Sequence, residues 1–153
     1  MPANGCAPAA MVLRPDAVQA RLLKLEEIVS RLEDLGRAAP SPTADFRDQW
    51  VAERGLQLGA ETVLDIGNHI LSAHFGISAH DHEDLIAQLA GAGVIDGALR
   101  QRLKGLGGFR NLLVHDYLRV DPQRVRQHLV RAPRDFSDFI GAVRTWLATV
   151  PAT

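Results

Sequence analysis

The sequence predicts an all-α fold, a bundle of about five helices, on three observations. Apolar residues make up 46% of the 153 positions and are mostly Leu, Ala and Val, while aromatics are only 5%; Leu and Ala favour helix more than sheet. Along several stretches apolar residues recur at spacings of three and four, which draws one stripe on a helix. No stretch alternates apolar and polar with the period of two that a half-buried strand needs, and no internal repeat is present. The length suits one compact domain with its own core. The expected organisation is a flexible tail over residues 1–13 followed by a single helical domain over 14–153.

The elements follow in order. Arg14-Pro15-Asp16 opens a first helix, with Pro15 or Asp16 near the cap. Val18, Leu22, Leu25, Val29 and Leu32 then form a narrow seam, and Gly36 ends the helix. Residues 36–44 are a loop by their Pro, Ser, Thr and Gly content. A long second helix is expected from about Asp45 to Phe75, with Thr43 as a possible cap and Gly76 as its end. Gly55, Gly59 and Gly67 lie inside it, each costing up to about 1 kcal/mol against Ala, so they point to close packing or a bend. A short helix with Leu85, Ile86 and Leu89 inward follows the loop 77–81. Asp96 caps the next helix, striped by Leu99, Leu103 and Leu106. Asp121-Pro122 is a cap followed by proline at the first helical position, and the apolar period from Val125 to Leu147 carries that last helix to the end. Pro133 is expected to break or kink it.

Bulk properties exclude some classes. A single cysteine, Cys6, allows no intrachain disulfide and argues against a Cys-based metal site. The first residues lack a basic region and are interrupted by Pro2 and Pro8, unlike a signal peptide. No apolar run approaches the roughly 20 residues that span a bilayer. These features lead to an expected cytoplasmic location. The net charge of −1 carries no hint of nucleic acid, but its distribution does. Residues 97–153 hold ten Lys/Arg against four acids, a surplus of six, which leaves −7 over residues 1–96. A basic C-terminal third can meet phosphates. It can equally be a face whose charges interleave with acids from other helices.

The segment Gly108-Phe109-Arg110-Asn111-Leu112-Leu113-Val114-His115-Asp116-Tyr117 resembles the Arg-x4-His-x-Tyr signature of HepT-like ribonucleases within the HEPN superfamily. The stretch from Glu53 to Ile70 is similar to that family's second long helix, and Ala92-Gly93-Val94-Ile95 resembles the turn before its motif helix. The resemblance covers roughly residues 45–150. It implies a HEPN-type helical bundle and a homodimer with the motif at the interface. It further implies a metal-independent endoribonuclease, the toxin of a type VII toxin–antitoxin pair. Its cognate partner would be an MntA-like nucleotidyltransferase antitoxin that adenylylates Tyr117. No cofactor is implied. The N-terminal tail has no counterpart in the family, and Pro133 interrupts a helix that the family continues smoothly.

The chemistry of the residues fits that reading. Metal-free RNA cleavage uses the neighbouring 2′-hydroxyl as nucleophile. It needs a base, an acid for the leaving 5′-oxygen, and positive charge on the phosphorane-like state. An imidazole can take or give a proton near neutral pH, so His115 has the chemistry to carry the proton; a guanidinium fork matches phosphate oxygens, so Arg110 suits the developing charge. Asn111 stands four residues before His115, placed to fix a ring nitrogen. On a continuous helix, however, five residues turn through about 140° from one face. Arg110 and His115 then diverge, whereas Arg110 and Tyr117 share a face. Either the helix deforms at the motif, or two chains assemble the site. Phe109, Leu113 and the first-helix seam are the candidates for such an interface, the alternative for the seam being that it is spent inside the bundle.

Each residue also has a plainer reading. His115 can be a satisfied interior histidine, Arg110 an ion-pair partner for Asp65 or Asp116, and Tyr117 an interface aromatic. Asp65 and His69, one turn apart, are supporting polar residues at the groove or a surface pair. Arg119, Arg124 and Arg126 are candidates for RNA phosphates or a solvated face. His80-Asp81-His82 hints at metal ligands, but polar residues are expected where a helix starts and no further ligands stand out, so no metal is assigned. Trp50 and Trp146 suit core or interface more than base stacking. The competing function is a non-catalytic HEPN module that binds a nucleotidyltransferase partner or nucleotides.

Overall fold

The structure, a computed structural model, describes residues 12–38 and 45–151, and of Tyr117 the backbone alone. The expected cap Thr43 and most of the expected N-terminal tail lie outside the described residues. Leu13 is partly buried against the core, so packing has begun by that position. Among the described residues six α-helices and no strand occur. They are α1 (Pro15–Ala38), α2 (Phe46–Ile70), α3 (His82–Gly91), α4 (Gly97–Leu103), α5 (Leu106–His115) and α6 (Pro122–Leu147). The all-helical expectation is met.

Helices α1, α2 and α6 form the long body of the bundle, each packed on the other two, while α5 lies on α2 and α3 braces it. The seam of α1 is spent here: Val18, Leu22, Leu25, Val29 and Leu32 are all buried inside the protomer. Phe136 and Phe139 of α6 occupy the centre. A Cβ on Gly59 would sit 2.4 Å from the Phe136 ring, and one on Gly55 or Gly67 would meet Leu32 or Leu85 and Leu89 at 2.8 Å. The glycines of α2 therefore serve close packing.

Caps set the helix starts. Asp45 accepts from the backbone N–H of Arg47 at α2, Asp81 from Asp84 at α3, Asp96 from Leu99 at α4 and Asp121 from Gln123 at α6. The last turn of the expected second helix widens into a π-helical segment, Leu71–Phe75, closed by Gly76 at φ 65°. That segment carries His74 and Phe75 against Trp146, with ring centroids 5.0 and 5.8 Å away. Trp146 is thus core, while Trp50 is exposed beside Phe46.

One expectation fails. Helix α6 runs without a break through Pro133. Proline removes one backbone donor and crowds the preceding turn, at about 3 kcal/mol in a helix interior. Here the ring is buried, between Leu129 and Phe136 on the core face. Two and five residues on, Asp135 and Asp138 both accept from Arg102 Nη1 at 2.8 Å. Burial and this tie to α4 hold the helix on course.

Candidate active site

Helix α5 carries the motif, and what fixes it comes from other elements. Its first residues are held by the start of α3. Glu83 Oε1 accepts from the backbone N–H of Gly105 at 2.7 Å, and Gly105 itself is left-handed at φ 81°. A Cβ on Gly107 would lie 2.2 Å from His82 Cβ, so only glycine permits this approach. Gly107 and Gly108 are part of the helix. Further along, Phe109 is buried beneath His128 of α6, the rings stacked at 3.7 Å and 15°.

Arg110 reaches from α5 to α2. Its Nε and Nη2 lie 3.2 and 3.1 Å from Glu61 Oε1. Its Nη1 donates to Asn111 Oδ1 at 3.1 Å. Glu61 also accepts from Gln57 one turn earlier, at 3.1 Å. The partner is therefore Glu61, not Asp65 or Asp116 as the sequence suggested, and Asn111 orients Arg110 rather than His115. The first correction has a long-range cause: Glu61 lies 49 residues away, which neighbour spacing does not contain, whereas the bond to Asn111 joins adjacent residues.

His115 is exposed at the last position of α5 and makes no hydrogen bond or ion pair among the described residues. The interior-histidine reading does not fit. The helix is regular through the motif and stops there: Asp116 leaves it at φ −135°, ψ 45°, and Tyr117–Arg119 form a 3-10 turn. Arg110 and His115 consequently diverge as a straight helix requires. Tyr117 lies beyond the helix, so the expected shared face with Arg110 does not exist.

Two adjoining hollows meet at the start of α3. One, of about 310 Å³, is lined by Asp81, His82, Glu83, Gly107, Gly108 and Asn111. The other, of about 320 Å³, shares Asp81 and His82 and adds Asp65, Asn68 and His80. Asp65 thus faces the groove side. His69 does not pair with it: its Nε2 accepts from the backbone N–H of Arg14 at 3.2 Å, which pins the start of α1. Partial burial there, with Arg21 and Arg14 nearby, lowers its pKa. In the His80-Asp81-His82 run, Asp81 caps α3 and His82 packs on Gly107.

The expected interface residues are unavailable. Phe109 and Leu113 are buried within the protomer, as is the α1 seam. The large apolar side chain left bare beside the motif is Leu118, 86% exposed. Arg119, Arg124 and Arg126 are exposed; Arg119 has Asp116 3.6 Å away. Sequence reasoning passed over Glu61 and His128. Glu61 had a faint signal, since Glu61, Asp65 and Asn68 share one face of α2. His128 had none.

The chain is similar to several known proteins. A family model described as "Ribonuclease HepT-like" matches residues 22–143. The chain is 26% identical over 107 residues to the tRNA nuclease HepT of Aphanizomenon flos-aquae, covering 70% of this chain and 73% of that one. It is 27% identical over 132 residues to the mRNA nuclease HepT of Shewanella oneidensis, covering 84% and 97%. Among solved structures, a tri-AMPylated Shewanella oneidensis HEPN toxin in complex with its MNT antitoxin superposes with TM-score 0.76 at 25% identity, covering 85% of this chain and 98% of that one. YutE of Bacillus subtilis, a cytosolic protein of unknown function, superposes with TM-score 0.79 at 19% identity over 94% and 98%. No helix among the described residues is long and apolar enough to cross a membrane.

Proposed function

Because the chain belongs to the HepT-like ribonuclease family, we propose that it is the ribonuclease toxin of a toxin–antitoxin pair and cuts RNA with Arg110 and His115. The observation that carries this reading is the contrast between the two side chains. Arg110 is fixed on the helix by Glu61 and Asn111, while His115 is exposed and unengaged among the described residues.

In the proposed step, the 2′-oxygen forms a bond to phosphorus as its proton leaves to a base. The P–O5′ bond breaks and the leaving oxygen takes a proton. Arg110 stabilises the charge that builds on the phosphoryl oxygens. In-line displacement needs proton carriers on opposite sides of phosphorus, and one His115 cannot serve both. A two-fold dimer supplies the second, with Leu118 at the contact and the divergent α5 side chains converging across the axis. No metal or cofactor is called for. The product carries a 2′,3′-cyclic phosphate and the other fragment a 5′-hydroxyl.

The proposed partner is an MntA-like nucleotidyltransferase antitoxin, by analogy with the complex of the similar Shewanella toxin. It would transfer AMP from a nucleoside triphosphate to the Tyr117 phenol oxygen, releasing pyrophosphate. A phosphodiester placed just past His115 would compete with RNA for the same cations. The test is cleavage of end-labelled RNA by the purified chain, with chemical analysis of both new ends. Cyclic phosphate and 5′-hydroxyl ends, formed by wild type and absent with folded His115→Ala, are expected. A 5′-phosphate product or full activity in His115→Ala would overturn the mechanism.

A further inference from the structure

Helix α6 presents Arg124, His128, Arg131 and Asp135 on one face, at positions i, i+4, i+7 and i+11. The stack of His128 on Phe109 sets that face against α5. Leu106 of α5 meets Ala132 and Phe136 at a small notch of about 60 Å³, so the two helices run antiparallel. Arg124 therefore lies toward the His115 end of α5 and Arg131 toward the Gly105 end, about 10 Å further on. At the notch Arg131 is joined by Lys104 from the turn between α4 and α5.

The charges in this strip are not balanced. Arg102, also at the notch, is held by Asp135 and Asp138, and Arg134 lies 3.9 Å from Asp138. Those two acids are committed. Lys104, Arg124 and Arg131 are exposed and make no ion pair among the described residues. Arg124 and Arg131 both bear on His128 between them: burial first, then these two charges, bring it down to about 4. Like charges held in a row without counter-charges favour an anion that extends along the row.

Resting on the reading of this chain as an RNA-cutting enzyme, we propose that Arg124, Arg131 and Lys104 form a track for the RNA backbone. It would bind successive phosphates beside the scissile one and lead them from the motif to the notch. The track carries no base-reading group, so it contributes affinity without sequence preference.

The test is binding of a single-stranded RNA of mixed sequence, by fluorescence anisotropy over a salt series, in a His115→Ala background that leaves the RNA intact. Each lost phosphate contact should lower the slope of log K against log salt by about 0.7, so Lys104→Gln with Arg131→Gln should lower it by about 1.4 and weaken binding roughly tenfold near 0.15 M. Lys24→Gln with Arg31→Gln removes the same charge from α1, where both residues pair with Glu27. That variant should keep the wild-type slope. RNA cleaved by wild type but bound with unchanged slope by the Lys104/Arg131 variant overturns the track alone. The same holds if both variants lose slope equally, or if the variant loses only its hold on an acidic protein partner. A wild-type chain that neither binds nor cuts RNA overturns the functional reading, and the track with it.

Discussion

Adjacent glycines of α5 should respond to alanine in opposite directions. Gly107→Ala brings a methyl within 2.2 Å of His82 Cβ and 2.6 Å of its Nδ1. A Cβ cannot swing aside, so the start of α3 and the turn at Gly105 must move, at about 2–3 kcal/mol. Gly108 points the other way. Nothing lies within 4 Å of a Cβ there, and its φ is ordinary for a helix. Gly108→Ala should therefore stabilise the protomer by about 0.5–1 kcal/mol through helix propensity and a less flexible unfolded chain. For a domain of this size that is about 1–4 °C in Tm. The protomer gains nothing from glycine at 108, yet it faces outward beside Asn111 and along the helix from His115. Something outside the protomer, RNA or a second copy, is expected to approach it closely. Gly108→Ala should then lose at least tenfold in cleavage while melting higher. The assays are a thermal melt and RNA cleavage on the same preparations. A destabilised Gly108→Ala protein would refute the helix geometry; a stabilised, fully active one would refute the close approach.

Other predictions follow from single contacts. Arg110→Lys should lose most activity with an intact helical far-UV signal, because a point charge cannot hold Glu61, Asn111 and a phosphate together; free replacement by Lys would reduce Arg110 to bulk charge. Glu61→Gln should lower kcat at least tenfold with little change in Tm, since it loosens Arg110 without opening the core; unchanged kcat would show that the tether is idle. His128 is held neutral, at about 4 against an ordinary 6.5. The unfolded chain protonates first as pH falls, so stability present above pH 6.5 is lost on the way down toward 4. After allowance for partial exposure this amounts to about 1–2 kcal/mol, and His128→Gln should flatten denaturation midpoints between pH 7 and 4.5. Equal pH dependence in variant and wild type would contradict it. Mixing inactive His115→Ala with inactive Arg110→Ala should restore some cleavage if the proposed site is shared across a dimer; a stable, active monomer at all concentrations would end that idea.

Periodicity made the helices legible, and Asp96 and Asp121 marked the starts of α4 and α6, because both signals are local. Pro133 misled for the same reason: its local cost is real, and only the buried ring and the tie from Arg102 to Asp135 and Asp138, more than thirty residues away in sequence, outweigh it. The motif and its family were legible from residues 108–117. The surroundings of Arg110 were not, since Glu61 is 49 positions away. The α1 seam could be read equally as bundle interior or dimer contact, and tertiary packing chose the interior. The Arg110–His115 divergence was an angle any straight helix imposes, so it survived into the structure.

Mechanically, α5 is a cantilever. Its root is clamped by Glu83 on Gly105 and by His82 seated on Gly107, and its middle is pressed down by His128 on Phe109. Its tip ends at His115, where the chain leaves the helix at Asp116. Displacement of such a beam grows toward the free end. Amide hydrogen exchange should accordingly slow from the tip to the root, with Val114 and His115 opening locally while Phe109 exchanges only on wider unfolding. The imidazole position is then set less by its own helix than by whatever comes to rest against the tip.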